Sequence, residues 1–227
     1  MRLLRVLLAA LVVATAGTGR SARADADVPP LGPQAQAAGF VDVRSVVADA
    51  IIALRYATPH NVVGTQLYPG NARCLVHESM APGLVAAATA LRQRGDVLVF
   101  WDCYRPHDVQ VRMFQAVPNP AWVARPGPFA RSHEAGRSVD VTVARARCPV
   151  EQAGARCLLD MGTDFDDFSP RALAFATDGV SADAQANRAL LRDAMGVGGL
   201  TGYSGEWWHF DGPGAAVERP ILDVPVD

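Results

Sequence analysis

Two short segments of this 227-residue chain crowd metal-binding and proton-transfer side chains together. One is Ser132-His133-Glu134-Ala135-Gly136-Arg137-Ser138-Val139-Asp140. The other is Ser204-Gly205-Glu206-Trp207-Trp208-His209-Phe210. The chain has five His, and each segment holds one of them. A catalytic zinc ion takes three N or O protein ligands and keeps a further position for water. His133, Asp140 and His209 would supply two imidazoles and one carboxylate to a single zinc ion. His133 lies in a turn-prone stretch, and Gly136 can make the bend toward Asp140 on the strand that follows. His209 must arrive from a distant element, so the fold has to bring two remote segments side by side. Glu206, three residues before His209, should sit near the metal without binding it. A carboxylate there can take a proton from water and deliver it to a leaving amine. H-E-x-x-H enzymes divide the labour in the same way, with another order in the chain. Taken singly each motif is bland, since a lone His beside an apolar strand is more often structural. The weight comes from both halves together, and from Arg105.

The rest of the pattern indicates an α+β domain. Residues 82–94 are rich in Ala and Leu, with Pro82 near the start and Gly95 after the end, which predicts a helix. Val97-Leu98-Val99-Phe100-Trp101 predicts a buried strand. It runs into Asp102-Cys103-Tyr104-Arg105-Pro106, and a helix is expected from there through Gln115. Residues 117–128 carry Pro and Gly and read as a loop. Val139-Asp140-Val141-Thr142-Val143 alternates and is β-branched, so it predicts a strand. Ile51-Ile52-Ala53-Leu54-Arg55-Tyr56 also reads as a strand, broken by Thr58-Pro59-His60-Asn61. Residues 184–195 read as an amphipathic helix stopped by Gly196. Helices and strands without regular βαβ order favour an α+β fold. The expectation is one domain with a central, mainly antiparallel sheet, flanking helices and the zinc site on the sheet.

The N-terminus reads as an export signal over residues 1–24, leaving a domain at 25–227. Arg2 and Arg5 precede an apolar run over residues 3–16, and Ala22-Arg23-Ala24 is an A-x-A cleavage pattern. The run is short for a membrane span, which takes roughly 20 apolar residues. No stable anchor is therefore expected after cleavage, and the address is periplasmic or secreted. The four Cys agree with an oxidising compartment: Cys74, Cys103, Cys148 and Cys157 suggest two disulfides, with three pairings possible. Cys148 and Cys157 could close a small loop, and Cys74 and Cys103 would then staple distant segments. A zinc ribbon is disfavoured because no C-x-x-C pair exists. The formal net charge of −2 offers no basic field for nucleic acid.

These segments resemble the D-alanyl-D-alanine dipeptidase family. Its S-x-H-x-x-G-x-A-x-D pattern is met at His133, Gly136 and Asp140, and its E-x-x-H at Glu206 and His209. Tyr104-Arg105-Pro106 matches the family's Y-R-P. Met161-Gly162-Thr163-Asp164-Phe165-Asp166 resembles its M-G-x-x-F-D. Leu54-Arg55-Tyr56-Ala57-Thr58 resembles its first strand, and Asn187-Arg188 to Met195 the helix before its last motif. Two positions depart from the pattern: Arg131 stands where the family has Ser, and Ser138 where it has Ala. The resemblance implies one zinc ion per subunit and a small dipeptide as substrate. It implies that Arg105 stabilises the charge developing on the carbonyl oxygen, and that Asp166, helped by Tyr56, pairs with the free amino terminus. An acidic group at that end favours dipeptides over longer chains. The expected reaction is zinc-dependent hydrolysis of D-Ala-D-Ala or a related D,D-dipeptide, in wall turnover or scavenging. The rivals are a zinc D,D-carboxypeptidase or wall endopeptidase, and a zinc-containing binding module without turnover. His60, His77 and His107 match no motif and read as surface or structural. No motif speaks to oligomeric state.

Overall fold

Strand β4 (Asp96–Asp102) is buried along its whole length, and it forms the spine of the fold. The computed structural model describes residues 28–147 and 157–227. The expected leader over residues 1–24 and Cys148 lie outside the described residues. β4 pairs antiparallel with β5 (Ser138–Arg145) and parallel with the short β2 (Ile51–Ile52). β5 then pairs with β7 (His209–Asp211), and β7 with β6 (Thr201–Gly202), both antiparallel. The sheet order is β2-β4-β5-β7-β6, so the expected mainly antiparallel sheet is present with one parallel edge pair. A second sheet pairs β1 (Phe40–Asp42) with β3 (Leu75–His77).

Helices flank these sheets. α1 (Pro33–Ala37) and α2 (Val43–Val46) bracket β1. α3 (Ala81–Arg92) precedes β4, and α4 (His107–Ala116) follows it. α5 (Ala182–Val197) packs on α3, where Gly83 and Gly198 let the backbones touch; a Cβ on Gly198 would lie 2.1 Å from the Gly83 carbonyl oxygen. α5 is capped by Ser181, whose Oγ accepts from the Ala184 amide at 3.1 Å. Among the described residues no helix is long and apolar enough to cross a membrane.

Two expectations need correction. Gly196 does not stop α5, which runs through Val197 to a cap at Gly198. A helical Gly costs only about 1 kcal/mol, whereas Gly199 at φ +70° makes the left-handed turn that ends the helix. The strand expected over 51–56 shortens to Ile51–Ile52, and Arg55–Ala57 is a 3₁₀ turn. Successive strand residues point to opposite faces, yet Arg55 pairs with Asp164 and Tyr56 with Asp166, both in one loop. A turn satisfies both contacts. The strand expected at 139–143 is present as part of β5, and its alternation leaves no wet face. Ser138, Asp140 and Thr142 are as buried as Val139, Val141 and Val143.

β4 carries a bulge that decides which side chains share a face. Val99 opposes Thr142 and Asp102 opposes Asp140, so β4 advances three residues while β5 advances two. The extra residue moves Asp102 to the face of Asp140. Asp140 in turn opposes His209 across β7. Asp102, Asp140 and His209 therefore form one row across three strands.

Candidate metal centre

The row of buried polar residues is completed by His133. It sits in a 3₁₀ turn (Ser132–Ala135) that ends at Gly136 with φ +63°. Only Gly fits there on two counts: the φ is left-handed, and a Cβ would lie 2.2 Å from the Phe40 ring. The turn folds back against β5. His133 Nε2 lies 3.2 Å from Asp140 Oδ1 and 3.1 Å from His209 Nδ1, and His209 Nδ1 lies 3.1 Å from Asp140 Oδ1. All three residues are buried. Ligands about 2.0 Å from a tetrahedral ion are about 3.3 Å apart, so this triangle fits zinc with one corner left open.

Neighbouring groups select the nitrogen that each His offers. His133 Nδ1 donates to the Cys103 carbonyl at 2.8 Å, which leaves Nε2 with a lone pair toward the centre. His209 Nε2 donates to Asp211 Oδ1 at 3.0 Å, which leaves Nδ1. Asp211 also accepts from Ser138 Oγ at 2.5 Å, and Ser138 accepts from Ser132 Oγ at 2.9 Å. The Ser that departs from the family pattern thus joins the chain behind His209. Burial works against ionisation of Asp140, but His133 and His209 hold its pKa far below the carboxylate range. Burial likewise opposes charge on His209, yet Asp140 and Asp211 push it up to about 10. The carboxylates around the triangle thus favour positive charge at its centre.

A cleft of about 280 Å³ opens over the triangle. Glu206 stands on its wall with Oε2 4.0 Å from His209 Nδ1, so it is beside the donors and outside the triangle. Burial and the Asp140 charge push Glu206 up to about 7. Arg105, also in the wall, is clamped. Its Nε and Nη2 donate to Asp102 Oδ2 at 3.0 and 2.7 Å, and Nη1 donates to Gln110 Oε1 at 2.7 Å. Asp102 also accepts from Tyr68 Oη at 2.6 Å. Three of the five guanidinium N–H groups are spent on holding it, which leaves donors for a ligand. Tyr56 lies beneath, its ring 5.1 Å from the guanidinium carbon.

Asp166 lines the same cleft at φ +58°. It accepts from Tyr56 Oη at 3.2 Å and from the Val62 amide at 2.9 Å. Burial pushes it up to about 7; the Val62 amide pulls the other way, and Asp140 adds repulsion. Its loop is fastened from behind by Arg188, which donates to the carbonyls of Met161 at 2.7 Å and Leu173 at 3.1 Å. Trp207 Nε1 donates to Thr163 Oγ1 at 2.7 Å and ties the Glu206 loop to the Asp166 loop. Trp208 and Phe165 pack edge to face under both.

The structure thus gathers Tyr56, Arg105, His133, Asp140, Asp166, Glu206 and His209 around one cleft. Cys74 and Cys103 form a disulfide, and Cys157 is disulfide-bonded as well. Arg131 is exposed, 3.9 Å from Glu218. Of the other histidines, His107 pairs with Glu134 and His77 with Ser79 and Arg137. Sequence reasoning missed Asp102, Gln110, Tyr68 and Asp211 as supports. Asp102 and Asp211 stand three and two residues from Arg105 and His209, and that proximity was their one signal.

Residues 36–227 match the family model described as D-ala-D-ala dipeptidase, peptidase family M15. A D-alanyl-D-alanine dipeptidase of Escherichia coli (strain K12) is 35% identical over 183 residues, covering 81% of this chain and 89% of that protein. One of Enterococcus faecium is 28% identical over 213 residues, covering 83% and 98%. A crystal structure of a vancomycin-resistance D,D-pentapeptidase with Zn(II) overlaps 61% of this chain and 72% of its own, at TM-score 0.37 and 16% identity, too loosely to bear on the argument.

Proposed function

This chain belongs to the D-Ala-D-Ala dipeptidase family, and from that premise and the site geometry we propose that it is a zinc-dependent dipeptidase acting on D-Ala-D-Ala or a closely related D,D-dipeptide. The observation that carries the reading is one cleft holding the three-donor triangle, a clamped guanidinium and a carboxylate at its far wall.

Two imidazoles and a carboxylate suit zinc by donor type, and His133, Asp140 and His209 would hold it. Held there, zinc would supply Lewis acidity toward the scissile carbonyl and toward water. Arg105 directs its free N–H groups at the carbonyl oxygen, and because Asp102 and Gln110 already hold the guanidinium, little reorganisation is needed as charge develops. Glu206, outside the triangle, takes a proton from water and returns it to the leaving amine; its raised pKa suits both directions near neutrality. Asp166 and Tyr56 bind the free ammonium and set the register of the peptide. Trp122 stacks on Phe168, with centroids 5.4 Å apart, beside that end of the cleft.

The ammonium requirement separates a dipeptidase from a D,D-carboxypeptidase or wall endopeptidase on the same scaffold. kcat/KM for D-Ala-D-Ala should exceed that for its N-acetylated form by 10-fold or more, since a hydrogen bond to a charged group is worth about 1.5–3 kcal/mol. Equal or faster cleavage of the blocked form would transfer the chain to the carboxypeptidase reading. The enzyme is exported to a periplasmic or extracellular location, on the support of the leader pattern over residues 1–24 and the disulfide-bonded Cys. It then acts on dipeptides released in wall turnover, or scavenges them. N-terminal sequencing of the mature protein should begin at Asp25; a start at Met1 would remove the export argument.

A further inference from the structure

Four consecutive residues, Asp102 to Arg105, supply much of the support behind the metal centre. Asp102 clamps Arg105. The Cys103 carbonyl accepts from His133 Nδ1 at 2.8 Å. The Tyr104 amide donates to the Leu75 carbonyl at 2.8 Å, and the Arg105 amide to the His133 carbonyl at 3.1 Å. Past Asp102 this segment has left β4 and has not entered α4, which begins at His107. No ladder or helix holds Cys103 in place. Besides the His133 hydrogen bond and the flanking amide bonds, it is held covalently by the bond to Cys74, which directly precedes β3 of the second sheet. Both Cys are buried, at 0% and 1% exposure, so the link is part of the packed interior and not a surface staple.

We propose that the Cys74–Cys103 disulfide is a positioning element of the metal centre. It anchors the turn after β4 to the second sheet, and so keeps the Cys103 carbonyl on His133 and the Arg105 guanidinium over the cleft. The proposal rests on the zinc-site reading above. An outer partner that orients a metal-bound His is worth about 10- to 100-fold in metal affinity. The tether is what keeps that partner in register before any metal arrives.

Cys74→Ala leaves the metal donors, Glu206 and Arg105 chemically unchanged and breaks the tether, freeing the Cys103 thiol. Cys103→Ala keeps the carbonyl and breaks the same bond. Each variant should raise the zinc Kd, measured by chelator competition, by about 10-fold or more. Each should lower kcat for D-Ala-D-Ala with little change in KM. The double variant should be no worse than either single one, because one bond is lost in all three. Leu91→Ala, a buried truncation on α3 near the opposite end of β4, controls for lost stability and should leave the zinc Kd unchanged. Hydrogen exchange on the wild-type, metal-free protein is independent of any variant: the amides of Tyr104 and Arg105 should be protected as well as those of β4. Variants that lose melting temperature but keep the wild-type Kd and kcat would reduce the bridge to a staple and overturn the proposal. So would fast exchange at Tyr104 and Arg105 in the wild type. A wild-type protein that binds no zinc would remove the site reading itself, and this proposal with it.

Discussion

Replacing Asp166 with Asn removes one charge while keeping the shape of the side chain. Asn tolerates the left-handed backbone at φ +58° better than most residues. Its Oδ1 can still accept from the Val62 amide, and its NH₂ can face Tyr56 Oη. In the wild type, burial pushes Asp166 from an ordinary 3.8 up to about 7. The folded protein therefore holds this proton more tightly than the unfolded chain does. The stability contributed is fully present below 3.8 and is lost as pH rises through about 7. At 1.36 kcal/mol per pH unit the loss is at most about 4 kcal/mol; Asp166 borders the open cleft, so solvent reduces it to about 2–4 kcal/mol. Asp166→Asn carries no such penalty. In urea denaturation of the metal-free proteins, the variant should gain on the wild type between pH 4 and 7, by about 2–4 kcal/mol in all, and the gap should then level off. The same substitution removes the ammonium's partner, so kcat/KM for D-Ala-D-Ala should fall about 10- to 100-fold. Rates on the N-acetylated dipeptide should change little. A gap in stability that does not vary with pH, or an Asn variant that cleaves D-Ala-D-Ala like the wild type, would refute the reasoning.

His133→Ala should bind no zinc at stoichiometric metal, as read by metal analysis after gel filtration, because two donors do not make a catalytic site. Glu206→Gln should keep zinc and lose about 100-fold or more in kcat, the usual share of a general acid–base group; full activity would remove Glu206 as the base. Arg105→Lys should also keep zinc and lose on the order of 100- to 1000-fold, since a point charge cannot hold the Asp102–Gln110 clamp and still aim donors at the carbonyl oxygen. Asp102→Asn leaves Arg105 as a buried cation with a weakened partner, and should cost about 3–5 kcal/mol in denaturation as well as turnover.

The site was more legible in the sequence than the fold around it. His133, Asp140, Glu206 and His209 fall in motifs dense enough to read, because a metal centre needs particular donors at particular spacings. The strands that carry them were visible where β-branched and apolar residues run together, as in β4 and β5. Elements decided by tertiary contacts were not. The 3₁₀ turn at Arg55–Ala57 exists because two adjacent side chains reach for one distant loop. The bulge that brings Asp102 onto the face of Asp140 leaves no mark in the β4 run, which reads as plain strand. Asp102, Tyr68 and Gln110 act through Arg105, so their roles emerge only when all four are seen together.

The most direct test is a zinc titration of metal-stripped protein, following bound metal and D-Ala-D-Ala hydrolysis in the same samples. Activity should rise linearly and break at one zinc per chain, and return to baseline when a chelator removes the ion. Hydrolysis that is complete without metal, or one tightly bound zinc with no turnover of any dipeptide, would contradict the account.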